Sequence, residues 1–440
     1  MMMDEVSITL REWDAVNPEP GNIVDGLMLP PDNSTKNLAE LLSKDRKLQI
    51  QELATGLSIR TFSFIGSVRL GHIHIVVKPK IIGMPLLALF RYAYGLRNLR
   101  LVSDAALDTE EAGIQDLLIL QLLTETKELI ARGLYRQYIL AIEDLSKLQG
   151  KVDFDMIVRQ GGMVSASLPC VHYPRNEDSL LNQVLKAGLK LCVFITQDII
   201  LRSELRRQIA IMNEFVSDIQ LNNEIFRRLD RKMTRLTRAY DAAIALIAIL
   251  MDSAGIIFEK KTDTTHRIPG FLFDMNRFFQ ALISRFLREN LRSYSIRDEM
   301  GIRGMIRYIV NPKRKQAPTP RPDFVIMHQR EISAILDAKY RDLWEKDLPR
   351  DMLYQLSMYA MSQNNIRESV IIYPVMRKDA KEAKLEISDP VYAGAKKAFV
   401  TLRPLDLLHL AELVSEQYDY QKERRELAEY LAFGARRQGF

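Results

Sequence analysis

The sequence predicts a mixed α/β (α+β) protein in which a small β-rich region, a helical region and a helix-flanked mixed sheet follow one another. Short apolar runs separated by turn-forming residues occupy residues 1–105, and longer runs with helical periodicity fill residues 106–262. Within residues 263–440, helices alternate with short β-branched strands, an order typical of a mixed sheet. A chain of 440 residues also exceeds the size that one core usually serves, so two or three domains are expected.

In the first region, strands are predicted at residues 7–10 and 61–68, between turn-rich stretches at 17–21 and 29–34. This pattern indicates a small, mainly β module.

The middle region is predicted to be largely helical. Long periodic runs cover residues 117–130 and 180–200, interrupted by a segment at 150–166 that favours strands and turns. The apolar run at 242–251 stops at Asp252, whereas a membrane span needs roughly twenty such residues, so a buried helix is expected there.

Cysteine usage and the start of the chain bear on the location of the protein. Cys170 and Cys192 are too few for a disulfide framework or a structural zinc site, and both are expected to be core thiols. The first residues have no signal-peptide pattern. We therefore expect a cytoplasmic protein without a membrane partner.

The last region contains the most informative pattern. Two short apolar strands, 324–327 and 332–336, flank a polar hairpin turn, and their ends carry Asp323 and Asp337. Because neighbouring strands would bring these carboxylates together, they form a sufficient protein half-shell for Mg²⁺. Lys339 shares a strand face with Asp337, so its ammonium can reach an attacking water or a phosphate oxygen. This grouping suits metal-dependent phosphodiester hydrolysis.

An isolated Asp-x-Lys is more often an exposed ion pair at a strand end. The helix that follows favours the functional interpretation, because Asp351, Gln355 and Tyr359 recur at helical spacing and project a polar stripe. We expect Gln355 to orient Lys339 or the water by hydrogen bonding. Further strands are predicted at 369–373 and 398–402, with a last helix from residue 406 toward 430.

Two basic segments could contact a polyanion. The net charge is +6, which is compatible with such a partner but weak evidence alone. The predicted DNA contacts are Lys313, Arg314 and Lys315 in a loop before the first acid, and Arg227, Arg231, Arg235 and Arg238 along one side of a predicted helix. For that helix, a solvated face or an acidic protein partner is at least as good an explanation.

The Pro-Asp, spacer, Asp-x-Lys pattern resembles that of the PD-(D/E)XK nuclease superfamily. Across about residues 60–375, the chain is similar to the McrC family, the nuclease subunits of McrBC-type modification-dependent (type IV) restriction systems. The segments that carry the resemblance are 71–81, with Val-Lys-Pro-Lys-Ile at its end, 133–152, 177–182 and 271–279. In one departure, this chain has Gln280 where the family commonly carries a glutamate, and we favour a position for Gln280 outside the direct metal ligands.

The resemblance implies a Mg²⁺-dependent endonuclease subunit that cuts modified double-stranded DNA, with Mn²⁺ as a possible substitute. Asp323 and Asp337 would bind the metal. It also implies assembly with a McrB-like AAA+ GTPase hexamer, whose GTP hydrolysis the subunit stimulates through its front region, around Lys78 and Lys80. The chain has no Gly-x-x-x-x-Gly-Lys-Ser/Thr loop, so no nucleotide is expected to bind to it.

Two alternatives remain open. A standalone repair or structure-specific nuclease of the same superfamily would cut DNA without GTP or a partner. A non-catalytic adaptor would only regulate an AAA+ ring; Gln280 leans toward this alternative, and the intact Asp323, Asp337 and Lys339 weigh against it.

Overall fold

The computed structural model describes residues 5–96, 114–159, 166–254, 270–329, 331–363, 367–388, 396–415 and 420–434. Part of the segment expected to form strands and turns at 150–166, including Gly161 and Gly162, lies outside the described residues, and so do the borders expected near residues 105 and 262. The chain forms two compact units. The first unit combines described residues of 5–96 and 272–434, and the second comprises described residues between 114 and 271. The division of these residues into separate domains, 1–105 and 263–440, stays a prediction.

The elements are numbered in chain order. In the front of the chain they are β1 (Val6–Arg11), β2 (Ala15–Val16), α1 (Asn33–Lys44), β3 (Leu48–Leu53), β4 (Gly56–Thr61), β5 (Phe64–Leu70), β6 (Ile73–Lys78) and α2 (Gly83–Tyr94). In the middle they are α3 (Ile114–Arg132), β7 (Gln137–Tyr138), β8 (Ala141–Leu145), β9 (Lys151–Val152), α4 (Phe154–Arg159), β10 (Leu168–His172), β11 (Arg175–Asn176), α5 (Leu180–Ile195), α6 (Ile199–Asn213), α7 (Asn223–Asp230) and α8 (Asp241–Ala254). In the last part they are β12 (Gly270–Asp274), α9 (Met275–Asn290), β13 (Ser295–Asp298), β14 (Phe324–His328), β15 (Glu331–Ala338), α10 (Arg350–Met361), β16 (Glu368–Val375), β17 (Ala383–Ser388), β18 (Lys396–Asp406), α11 (Leu407–Val414) and α12 (Gln421–Phe433).

The front of the chain is rich in strands, as predicted. One sheet has the order β1-β6-β5-β12, with β1 and β6 parallel and β5 and β6 antiparallel. Alternate residues of β6, Ile73, Ile75 and Val77, are buried, as expected for a strand with one face in the core. A second sheet has the order β2-β4-β3. Helix α1 precedes β3 in the sequence, and the Asp32 side chain caps this helix by accepting from Thr35 N–H.

A six-stranded mixed sheet, ordered β13-β14-β15-β16-β18-β17, is the centre of the last region, as predicted. Strands β13, β14 and β15 pair antiparallel, and β15, β16 and β18 pair parallel. Helix α10 packs on this sheet through Leu356 and Tyr359, which share a core with Ile371 and Val400. The β14–β15 hairpin turns at Gln329, whose φ of 57° is left-handed.

The second unit is largely helical, as predicted, but two predicted helices are broken. The run at 180–200 forms α5 and α6, because Asp198 accepts from Ile200 N–H and Leu201 N–H and so begins a new helix. In the segment predicted as strands and turns at 150–166, the short helix α4 follows β9.

The helix predicted for the second basic segment is also interrupted. Helix α7 ends at Asp230, and a 3₁₀ helix, Arg235–Tyr240, begins after Thr234. Thr234 N–H donates to Thr237 Oγ1 at 2.8 Å, which starts the second helix locally. The prediction that Arg227, Arg231, Arg235 and Arg238 form one stripe along a single helix is therefore wrong.

Among the helices that the structure describes, none has both the length and the apolar composition that a membrane span requires.

Candidate active site

The structure brings Asp323, Asp337 and Lys339 together at one end of the β14–β15 hairpin. Phe324 of β14 pairs with Leu336 of β15, so Asp323, which immediately precedes β14, lies near Asp337 of β15. Lys339 Nζ lies 2.8 Å from Asp337 Oδ2 and 3.2 Å from Asp323 Oδ2. The two carboxylates thus share one ammonium, in the grouping that the sequence predicts.

Burial and charge make Asp337 an unusual carboxyl. Only 3% of the residue is exposed, and its buried Oδ1 atom has no hydrogen-bond partner among the residues that the structure describes. Burial raises the pKa of Asp337 to about 6, and the nearby charge of Asp323 adds to this effect, while Lys339 opposes it.

Lys339 is held in its charged form. Burial lowers the pKa of its ammonium, but the carboxylates of Asp337 and Asp323 outweigh burial, so the net pKa is raised. The Asp323 carboxylate is further oriented by Ala338 N–H, which donates to Oδ2 at 2.8 Å. The charged ammonium of Lys339 therefore remains a hydrogen-bond donor next to the two carboxylates.

This arrangement fits a hard divalent cation. Asp337 Oδ1 is a buried oxygen that lacks a partner, and leaving such an atom unsatisfied costs about 1–3 kcal/mol. Among the residues that the structure describes, no group of three or more His, Cys, Asp or Glu is arranged to hold a metal. A cation here would therefore be bound by two carboxylates and completed by water or substrate oxygens, as Mg²⁺ tolerates.

Gln355 is exposed on α10, and its Nε2 donates to Tyr359 Oη at 2.8 Å. Burial raises the pKa of Tyr359, and the charges of Asp337 and Asp323 add to this rise. The Tyr359 hydroxyl is therefore close enough to the two carboxylates to interact with them electrostatically. Tyr359 lies on the predicted polar stripe of α10, but no role for it followed from the sequence. A hydrogen bond between residues four apart on a helix is the signal that could have identified it.

Tyr340, the residue after Lys339, is buried. Its hydroxyl donates to Glu12 Oε1 at 2.9 Å. Sequence reasoning missed Glu12, because 328 residues separate the two and no local pattern links them.

Gln280 belongs to α9. It is half-buried on α9, one helical turn after Asn276, and its place relative to the metal stays a prediction.

The predicted DNA loop precedes β14. Lys313, Arg314 and Lys315 are exposed, and Asn311 closes the turn by bonding both the N–H and the C=O of Lys315. The segment 299–322 contains six Lys and Arg residues and one acid. Within the described part of the chain, none of these six cations forms an ion pair, so their charge is available to a polyanion.

The predicted partner contact, Lys78 and Lys80, lies at the end of β6. Both side chains are exposed. Lys80 N–H donates to Glu12 Oε1 at 2.7 Å, and Lys80 Nζ lies 3.9 Å from Asp342 Oδ2.

A family model described as "McrBC 5-methylcytosine restriction system component" matches residues 59–374, well over half of the chain. A search of curated proteins gave no match. Among solved structures, the chain is similar to one in the refined half-complex from the tetradecameric assembly of Thermococcus gammatolerans McrB AAA+ hexamers with bound McrC. The identity is 20%, the TM-score is 0.60, and the match covers 96% of this chain and 98% of the other. This similarity supports the fold alone.

A second match is to the cryo-EM structure of the Thermococcus gammatolerans McrBC complex, at 20% identity. It has a TM-score of 0.45 and covers 65% of this chain and 88% of the other.

Proposed function

Since the chain belongs to the family of McrBC 5-methylcytosine restriction system components, we propose that it is the nuclease subunit of such a system. It would cut modified double-stranded DNA together with an AAA+ motor whose GTP hydrolysis it stimulates. The observation that carries the proposal is the meeting of Asp323, Asp337 and Lys339 around a buried carboxylate oxygen without a partner. The same grouping supports assignment to the PD-(D/E)XK superfamily.

Mg²⁺, or Mn²⁺ in its place, would be held by Asp323 and Asp337. Such a cation, when bound, lowers the pKa of water and neutralises charge on phosphate oxygens. The raised pKa of Asp337 falls when a cation is near, because positive charge favours the carboxylate.

Lys339 carries the chemistry that the chain itself supplies. Its ammonium is charged and is fixed between two carboxylates, so it donates to a non-bridging phosphate oxygen or to the attacking water without reorganising. We propose Gln355 as a positioning residue that acts through the Tyr359 hydroxyl, to which it donates.

DNA would be held by the exposed basic loop around Lys313, Arg314 and Lys315, because unpaired cations attract phosphates independently of sequence. The partner would be an AAA+ GTPase hexamer, contacted around Lys78 and Lys80. Family membership supports this, and the similar structure contains McrB AAA+ hexamers with bound McrC. GTP would bind to the partner and not to this chain.

A cleavage assay on methylated and unmethylated DNA tests the proposal, with Mg²⁺ and GTP and with or without the partner. The parental chain should cut methylated DNA only with the partner and GTP. Asp337→Ala should abolish cleavage while leaving assembly and GTP hydrolysis intact. Asp298→Asn is the matched control: Asp298 lies in the same sheet, but its carboxylate bonds Ser284 and Arg288, so this variant should cut at near the parental rate.

Each other outcome identifies an alternative. Cutting without GTP or partner would indicate a standalone nuclease. Stimulated GTP hydrolysis with no cutting of any DNA would indicate the adaptor. Parental cleavage by Asp337→Ala would contradict the site.

A further inference from the structure

We propose that Glu12, Trp13 and Asn276 are positioning residues for Lys339: they hold Tyr340 in what we call the Tyr340 clamp. The clamp rests on the proposed nuclease function, because it acts on the lysine of that site. Glu12 and Trp13 come from the front of the chain and Asn276 from α9, and all belong to the first compact unit.

The clamp lies where the sheet stops supporting the backbone. Strand β15 ends at Ala338, so Lys339 and Tyr340 lie beyond it. Lys339 N–H still donates to Ile372 C=O at 3.0 Å, but within the described part of the chain Tyr340 pairs with no strand. The orientation of Lys339 therefore depends on how the next residue is held.

Side chains hold every polar group of Tyr340. Its N–H donates to Asn276 Oδ1 at 3.1 Å, its C=O accepts from Trp13 Nε1 at 3.0 Å, and its hydroxyl donates to Glu12 Oε1 at 2.9 Å. Tyr340 is only 3% exposed, so these bonds satisfy groups that water cannot reach. The ring packs edge-on against Phe279, with centroids 5.8 Å apart. Three hydrogen bonds and one aromatic contact thus fix Tyr340, the residue next to Lys339.

Trp13 adopts a backbone conformation that its own side chain disfavours. Its φ is 64°, in the left-handed region, which is an outlier for a bulky residue. Such strain persists where the surroundings impose it, often at functional sites. Here the indole meets Tyr340 C=O on one side, and the Arg341 guanidinium lies 5.4 Å from its ring centroid. Trp13 lies in a turn that Asp14 N–H closes by donating to Arg11 C=O, and Trp13 N–H donates to Phe62 C=O. This turn and the contacts with residues 340 and 341 together hold the indole in place.

Glu12 works in the clamp as a hydrogen-bond acceptor. It is fully buried, and its Oε1 accepts from both Tyr340 Oη and Lys80 N–H. Burial raises the pKa of Glu12 to about 7, so its carboxyl readily becomes neutral near neutral pH. Glutamine keeps the accepting oxygen and the shape, whereas alanine removes both.

A small displacement of Lys339 has a large consequence for rate. Its Nζ lies 2.8 and 3.2 Å from the two carboxylates, and a misplacement of about 1 Å costs about 100-fold in a positioned reaction. The clamp is not expected to touch DNA, so its loss should reduce kcat and leave KM for DNA unchanged.

The test compares four variants with the parental chain in the complete complex with the GTPase partner, by steady-state DNA cleavage. Glu12→Ala and Tyr340→Phe should lower kcat by about 10- to 100-fold at unchanged KM. Glu12→Gln should restore kcat to near the parental value. Tyr92→Phe is the control, because Tyr92 Oη donates to Glu289 Oε2 at 2.7 Å. This is a tyrosine–glutamate bond between α2 and α9 in the same unit, more exposed than that of Tyr340 and remote from Lys339 in sequence, so kcat of this variant should be parental.

The outcomes separate the two levels of the proposal. Parental kcat for folded Tyr340→Phe would overturn the clamp alone. Equal losses in Tyr340→Phe and Tyr92→Phe would also overturn it, because they would indicate general destabilisation. If Glu12→Ala does not fold, Tyr340→Phe, which keeps the ring, decides. A parental complex that cuts no DNA would overturn the nuclease function and the clamp together.

Discussion

Two buried polar clusters, one in each compact unit, differ in how completely they are satisfied. In the second unit, the fully buried Asn182 donates through Nδ2 to Tyr135 C=O and Glu177 C=O, at 2.9 and 2.6 Å. Its Oδ1 accepts from Tyr240 Oη at 2.7 Å, and that hydroxyl accepts from Tyr135 N–H. Every member of this Asn182 cluster is neutral and paired.

The Asp337 site in the first unit has the opposite character. Two acids lie close enough to share one lysine, and Asp337 Oδ1 is buried without a partner. Like charges and an unsatisfied oxygen both cost folding free energy. A fully paired neutral network holds a fold together, whereas an under-satisfied charged one is the arrangement expected where a ligand completes the site.

The largest expected effect comes from Asp337→Asn. Cleavage should fall by about 1000-fold, because the amide cannot supply a charged oxygen. Stability without metal should stay the same or rise, since a buried charge and its repulsion with Asp323 are removed. Cleavage rates and thermal melting in a chelator check both parts. Normal cleavage by the variant, or a melting temperature well below that of the parental chain, would contradict the claim that Asp337 serves function at a cost in stability.

Asn182→Ala should show the reverse behaviour, a loss of stability. It leaves two backbone carbonyls and the Tyr240 hydroxyl without their partner, which should cost about 3 kcal/mol. Denaturant unfolding measures the loss. The control is Asn222→Ala, which removes the exposed cap of α7 and should cost only about 1 kcal/mol. An Asn182 variant no less stable than this control would mean that the cluster is not structural.

Glu12 should make stability depend on pH. Its pKa is raised by burial from 4.5 to about 7, so the folded chain holds this proton more tightly than the unfolded chain. Its destabilising effect is therefore absent below pH 4.5, grows as the pH rises to about 7, and reaches at most about 3 kcal/mol.

Glu12→Gln cannot ionise, so its melting temperature relative to the parental chain should increase across this interval. The difference cancels the contribution of other groups such as Asp337. A difference that does not vary with pH would show that Glu12 does not titrate in the folded chain.

The smallest expected effect concerns DNA affinity. Replacing Lys313, Arg314 and Lys315 by Gln should lower the slope of log affinity against log salt by up to about 3, near 0.9 for each lost phosphate contact. The same replacement at Arg227, Arg231 and Arg235 should change the slope less, because they do not form one helical stripe. The reverse order would assign DNA binding to the second unit.

Local patterns predicted the β14–β15 hairpin, but they did not predict the contacts between residues distant in the sequence. Phe324 and Leu336 belong to apolar β-branched runs, so the strands, and with them the approach of Asp323 to Asp337, could be predicted from neighbouring residues. Periodicity failed at Asp198 and Thr234, where side-chain caps begin new helices inside runs of good helical pattern. The contact of Glu12 with Tyr340 could not be predicted, because only the tertiary fold brings these two distant residues together.

The most direct test of the central claim is a Mn²⁺ anomalous difference map from crystals of the chain. We expect a Mn²⁺ peak bound by Asp323 and by Asp337 Oδ1, and the loss of that peak in Asp337→Asn. A map with Mn²⁺ bound elsewhere, and none between these two carboxylates, would contradict it.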